Sequence, residues 1–108
     1  MRRTAIKPVS NKRQAQLREY RELVLKLRTL CNNRSELTRH SPDWQSEYLI
    51  EPHHIAGRIN HNLLDPYNII LLTRAEHNAQ DSNNWEDKQR LLEFIEPVRI
   101  NQGFKREE

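Results

Sequence analysis

From Asn11 to Cys31 the apolar residues Leu17, Tyr20, Leu23, Val24, Leu27, Leu30 and Cys31 recur every three or four positions, the period of one face of an amphipathic helix. The opposite face is rich in Lys and Arg. Ahead of it, "MRRTAIKPVS" has no period and contains Pro8, which predicts an extended basic arm. Behind it, a polar stretch through Pro42 reads as a connection, and Tyr48 to Ile50 predict a short strand. "DPYN", Asp65 to Asn68, has the Asp and Pro of a tight turn, and Ile69 to Leu72 follow as a buried strand. Thr73 and Glu76 form a capping box, so a helix is expected from about Arg74. Ser82 to Asn84 interrupt it. A last helix is expected from Trp85 to Ile95, with Trp85, Leu91, Leu92 and Ile95 inward and Pro97 beyond its end.

The chain therefore reads as one α+β domain: an arm over residues 1–10, a helix and connection over 11–47, a strand–loop–strand–helix unit over 48–82, a final helix over 83–98 and a tail over 99–108. At 108 residues it buries only a modest core, so an additional staple is expected. A single cysteine, Cys31, excludes an internal disulfide as that staple and fits a reducing cytoplasm. Cys31 sits on the apolar stripe, where a small buried thiol is the expected role. There is no long apolar run and no hydrophobic signal core behind the basic start.

Charge changes the picture through its distribution. Residues 1–40 hold 11 Lys or Arg against three Glu, whereas the rest holds 7 basic against 12 acidic residues, for a formal net charge of +3. A basic N-terminal half suits a phosphate backbone, whose neutralisation releases counterions. Arg2, Arg3, Lys7, Lys12 and Arg13 are the candidate nucleic-acid contacts, DNA foremost.

The chemistry lies between Glu51 and Asp81, "EPHHIAGRINHNLLDPYNIILLTRAEHNAQD". His77 and Asp81 stand at i and i+4, a separation that lets one helix face present both to a shared cation. Neighbouring residues of an extended strand point to opposite sides, so His53 and His54 are not expected to reach the same ion. One histidine can be a ligand while the other, neutral near pH 7, acts as a general base. Spacing alone does not say which. His40 and His61 have no such partners and read as surface residues.

"HHIAGR", the asparagine of "YNIILLT" and the histidine of "RAEHN" resemble the motif of the HNH endonucleases, over about 30 residues of the chain. Asn68 and His77 are nine residues apart, similar to the nuclease colicins, and the wider string is similar to small bacteriophage HNH nucleases. The resemblance implies a ββα-metal finger, flanked here by the basic N-terminal helix and the C-terminal helix. It implies that His53 and His77 bind one divalent ion (Mg, Mn, Ni or Zn), that His54 is the general base, and that Asp81 is the second ligand from the helix. Asn68 would bond across the loop and orient His54, and Arg58 would clamp a phosphate oxygen. The implied reaction is phosphodiester hydrolysis, leaving 5′-phosphate and 3′-hydroxyl ends, by a monomer or a homodimer in the bacterial host cytoplasm.

Two departures stand out. Relatives often carry His or Asn where this chain has Asp81. Many phage relatives also hold a structural zinc with two Cys-x-x-Cys pairs, whereas the corresponding stretches here read "CNNR" from Cys31 and "TRAEH" from Thr73. A four-thiolate zinc is thus excluded, and the flanking helices must supply the missing core. The rival reading is a non-catalytic, metal-stabilised DNA-binding accessory protein of phage packaging or recombination.

Overall fold

A computed structural model describes residues 11–42, 49–58, 60–80 and 83–105. The elements run α1 (Asn11–Leu30), β1 (Glu51–His54), β2 (Ile69–Leu72), α2 (Arg74–Asn78) and α3 (Trp85–Asn101), with short 3-10 turns at Asn60–Leu63 and Pro66–Asn68 before β2. The class is α+β: helices around one two-stranded antiparallel sheet. The expected arm over 1–10, and with it Arg2, Arg3 and Lys7, lies outside the described residues, as does Asp81.

β1 and β2 pair Glu51 with Leu72, Pro52 with Leu71, His53 with Ile70 and His54 with Ile69. All four residues of β2 are buried, because both faces of the sheet are covered. On one face Leu27 and Cys31, from α1 and its end, pack with Ile50, Ile69 and Leu71. On the other, Leu91 and Ile95 of α3 pack with Ile55, Ile70 and Leu72. Cys31 is buried as expected, and desolvation raises its thiol pKa.

α1 ends where Asn32 and Asn33 turn into the left-handed region (φ 56° and 54°), which asparagine tolerates better than most residues. The end of the helix also holds the start of β1. Ile50 N–H donates to Asn33 Oδ1 at 2.9 Å, and Arg28 Nε donates to Ile50 O at 3.0 Å. Leu30, expected on the apolar stripe, is instead exposed, one position off the stripe that faces the sheet.

Three boundaries differ from expectation. β1 is Glu51–His54, so both histidines lie within the strand, while Leu49 and Ile50 of the expected strand precede it and Tyr48 lies outside the described residues. Pro52 and two imidazoles carry little strand propensity, and pairing with the apolar β2 imposes the conformation. α2 stops at Asn78 with Ala79 as its C-cap, earlier than the interruption expected at Ser82 to Asn84, and the pairing of His77 with Asp81 lies outside the described residues. α3 continues through Pro97 to Asn101, although Pro97 cannot donate to a preceding carbonyl. Ile95 before it and Arg99 after it are both fully buried, and they fix that turn into the interior. Trp85, expected inward, opens α3 in solvent at 70% exposure.

The staple that thiols do not provide is an ion pair. Arg99 on α3 and Glu36 in the connection after α1 meet in the interior, each almost without solvent contact. Leu71 faces Pro52, which has no N–H, so the Leu71 amide and carbonyl point to the far edge of the sheet. There Glu36 accepts from Leu71 N–H through Oε1 at 2.8 Å and donates its own N–H to Leu71 O at 2.9 Å. Arg99 Nη2 donates to Ile69 O at 2.8 Å and Nε to Pro66 O at 2.9 Å.

Candidate functional site

The 14 residues between β1 and β2 are held by Asn68, which is buried. Asp65 caps the turn by accepting from Tyr67 N–H at 2.9 Å, and Pro66 fits the first position, as read from "DPYN". Asn68 then spends its whole amide on the loop. Its Oδ1 accepts from Ala56 N–H at 2.8 Å, and its Nδ2 donates to Gly57 O at 2.8 Å and to Asn62 O at 3.1 Å. Its backbone carbonyl accepts from Ile55 N–H at 2.8 Å. The bond across the loop expected of Asn68 is present, and it reaches the chain just after His54, not the imidazole itself.

Register sets the histidines apart. His53 pairs with Ile70 and lies on the α3 face of the sheet, while His54 pairs with Ile69 and lies on the α1 face. Across from His53 stands His77 of α2, ring centroids 5.0 Å apart and near edge-to-face. His54 instead stacks obliquely on Tyr20 of α1 at 5.4 Å. Yet all of them line one cavity of about 330 Å³, together with Pro52, Gly57 and Arg58. The cavity wraps the free edge of β1, where an edge strand lets side chains of opposite faces meet the same solvent.

Both strand histidines are held neutral, the form that a ligand or a base requires. The pKa of His53 falls to about 4, first through burial and then through His77. That of His54 also falls to about 4, through burial first and then the charge of Arg58. His54 Nε2 is enclosed and has no hydrogen-bond partner among the described residues. An enclosed nitrogen without a partner costs about 1–3 kcal/mol, so it calls for a partner or a role.

Two participants escaped the sequence reading. Glu51 accepts from Arg74 Nε through Oε1 at 3.1 Å, and its Oε2 lies 3.0 Å from His77 Nδ1. His77 first, and then Arg74, hold the Glu51 carboxyl below the usual carboxylate range. The signal for Glu51 was available, since it stands two residues before His53 and so shares its face of an extended strand. Tyr20 gave no such signal, because at helical spacing it reads as core. Arg58 is exposed, and its guanidinium lies over the Tyr20 ring at 5.6 Å from the centroid. Lys12 and Arg13 are exposed in the first turn of α1.

Among the described residues no three His, Cys, Asp or Glu side chains converge as a complete metal cluster. The pair His53 and His77, neutral imidazole facing imidazole, is the donor set that these residues present. Searches against protein-family models, curated proteins and solved structures return no match for this chain. The functional reading therefore rests on the residues themselves.

Proposed function

We propose that the chain is a divalent-metal-dependent endonuclease of the HNH type, with β1, β2 and α2 as its ββα-metal finger. The observation that carries this reading is the division of the adjacent histidines. One faces a second imidazole, His77 of α2, the other has no hydrogen-bond partner for its enclosed Nε2, and both line one cavity.

In this reading His53 and His77 hold a divalent ion, with Asp81 as the further ligand that the resemblance implies. The bound ion would supply positive charge where a phosphodiester and its departing 3′ oxygen accumulate negative charge. Imidazole and carboxylate suit zinc, nickel and manganese, and magnesium less well. Glu51 takes the Nδ1 side of His77, which leaves Nε2 for the ion, the usual division of a ligand histidine between metal and carboxylate. His54 takes a proton from the attacking water as that oxygen bonds to phosphorus and the bond to the 3′ oxygen breaks. Asn68 fixes the turn that aims His54, and Arg58 reaches the phosphate. The exposed basic residues of α1 would follow the backbone of a nucleic acid, DNA foremost.

The test is plasmid cleavage by purified protein in EDTA or with added magnesium, manganese, nickel or zinc, beside His54→Ala. Metal-dependent nicking that is lost in a folded, metal-binding His54→Ala protein supports the reading. A wild type that binds metal and DNA yet cuts no duplex, single strand or RNA with any of these ions replaces it with the DNA-binding accessory reading.

A further inference from the structure

We infer that Tyr20 is a positioning residue: it holds the Arg58 guanidinium by its face at the mouth of the histidine cavity, leaving the hydrogen-bonding edge free for a phosphodiester. The inference deepens the phosphodiester reading above and rests on it for the identity of the ligand.

The argument starts from how an arginine is spent. A guanidinium attracts an aromatic ring through its flat face, whereas its five N–H donors lie in its plane. Among the described residues Arg58 has no carboxylate partner and no hydrogen bond, and its contact is the Tyr20 ring at 5.6 Å. The ring thus takes the cation while no N–H of its fork is bonded among the described residues, which leaves the fork open to two phosphate oxygens side by side. An exposed arginine without such a contact would sample many rotamers and lose that freedom on binding. Stacking removes part of that cost in advance.

Tyr20 is suited to this because it is itself held. It is half-buried on the stripe of α1 that continues through Val24 and Leu27, and it packs against the core on that face. Its ring also lies 5.4 Å from His54. One side chain of the basic helix thus sets the spacing between the His54 imidazole and the cation. Gly57, at φ +91°, makes the turn that brings Arg58 back toward α1, in a backbone conformation that side-chain-bearing residues rarely adopt. A ring that served only as core filling would have no need of a cation over it.

The experiment has two parts, both on the full chain. The first is the Arg58 Nε–Hε resonance of the metal-free wild type, Tyr20→Phe and Tyr20→Leu proteins. A ring-shifted signal in wild type and Tyr20→Phe that returns to the free-arginine position in Tyr20→Leu supports the stack. An unshifted signal in wild type overturns it, whether or not the Leu variant folds. The second is duplex DNA affinity in EDTA for Tyr20→Leu, Arg58→Gln and the double variant. Tyr20→Leu is expected to weaken binding roughly three- to fivefold, Tyr20→Phe to restore it, and the double variant to be no weaker than Arg58→Gln alone. A Tyr20 effect that persists in full without Arg58, or wild-type protein that binds no nucleic acid, overturns the positioning role. Binding with the expected coupling but without cleavage under any metal keeps this inference and removes the nuclease reading.

Discussion

Arg99 and Glu36, 63 residues apart in the chain, meet fork to fork in the interior, with Nη1 to Oε2 and Nη2 to Oε1 both at 2.6 Å. The pair joins α3, the connection after α1 and β2, and each remaining donor has an assigned acceptor. Nη1 also reaches Gln102 Oε1 at 2.8 Å. Removing one partner strands a charge, so Arg99→Met is expected to cost about 3–5 kcal/mol. Replacing both with apolar residues is expected to recover part of that loss. Urea unfolding of wild type, the single variant and an Arg99→Met, Glu36→Leu double variant measures it. Equal midpoints for wild type and Arg99→Met would refute the assignment.

Asn68→Asp tests the loop brace at almost constant volume. A carboxylate can still accept from Ala56 N–H, but it cannot donate to Gly57 O or Asn62 O. Destabilisation of about 2–4 kcal/mol is expected from the two lost bonds and the carbonyls left facing a negative charge. Amide exchange at Ile55, Ala56 and Gly57 should accelerate more than exchange in α3. Uniform acceleration across the chain would mean that Asn68 supports the fold at large and not this loop.

Glu51→Gln separates the orientation of His77 from its presence. The amide keeps the shape but loses the charge that draws the Nδ1 proton. Affinity for a divalent ion, measured by calorimetry with zinc or nickel, is expected to fall roughly 10- to 100-fold, the usual effect of losing a supporting carboxylate. His77→Ala should lose more. Unchanged affinity in Glu51→Gln would assign Glu51 to fastening β1 on α2 through Arg74 alone.

Stability of the metal-free protein should decline in acid with a defined onset. His53 and His54 have folded pKa values of about 4 against an ordinary 6.5. Between those values the unfolded chain binds more protons, so stability rises with pH there. Loss begins as pH falls below about 6.5 and continues through about 4, where Glu51 and Glu76, both lowered in the fold, add loss of the same sign. Melting temperatures in EDTA from pH 7.5 to 4 measure this. The decline between pH 6.5 and 5 should shrink in a His53→Asn, His54→Asn variant, and an unchanged profile would contradict the burial of the two rings.

What could be read from the chain was what neighbours in sequence decide. The stripe from Tyr20 to Cys31, the Asp65–Pro66 turn, the run Ile69 to Leu72 and the Thr73–Glu76 box each encode their conformation within a few residues, and each appears in the fold. β1 was placed too early because its extended state is dictated by β2, 15 or more residues away. Pro97 was read as a helix end because its local cost is real, and burial of Ile95 and Arg99 overrides it. The partnership of Glu36 with Arg99 left no trace in either segment. At the site, the division of the two histidines followed from strand geometry alone. Tyr20 reached the cavity through the packing of α1, which periodicity describes only as inward.

A two-stranded sheet has two outer edges, and each invites another chain to add a strand. Along β1 the invitation is blunted by Pro52, which offers no amide. Along β2 it is withdrawn by Glu36 and Arg99, which occupy the Leu71 amide, the Leu71 carbonyl and the Ile69 carbonyl. Behind that edge lies Ile69 to Leu72, an uncharged aliphatic segment of the kind that assembles into intermolecular sheets when exposed. The buried pair is then also a guard on solubility. Chains that open at α3 before they unfold elsewhere would meet one another through β2, and self-association, not simple unfolding, would mark their loss.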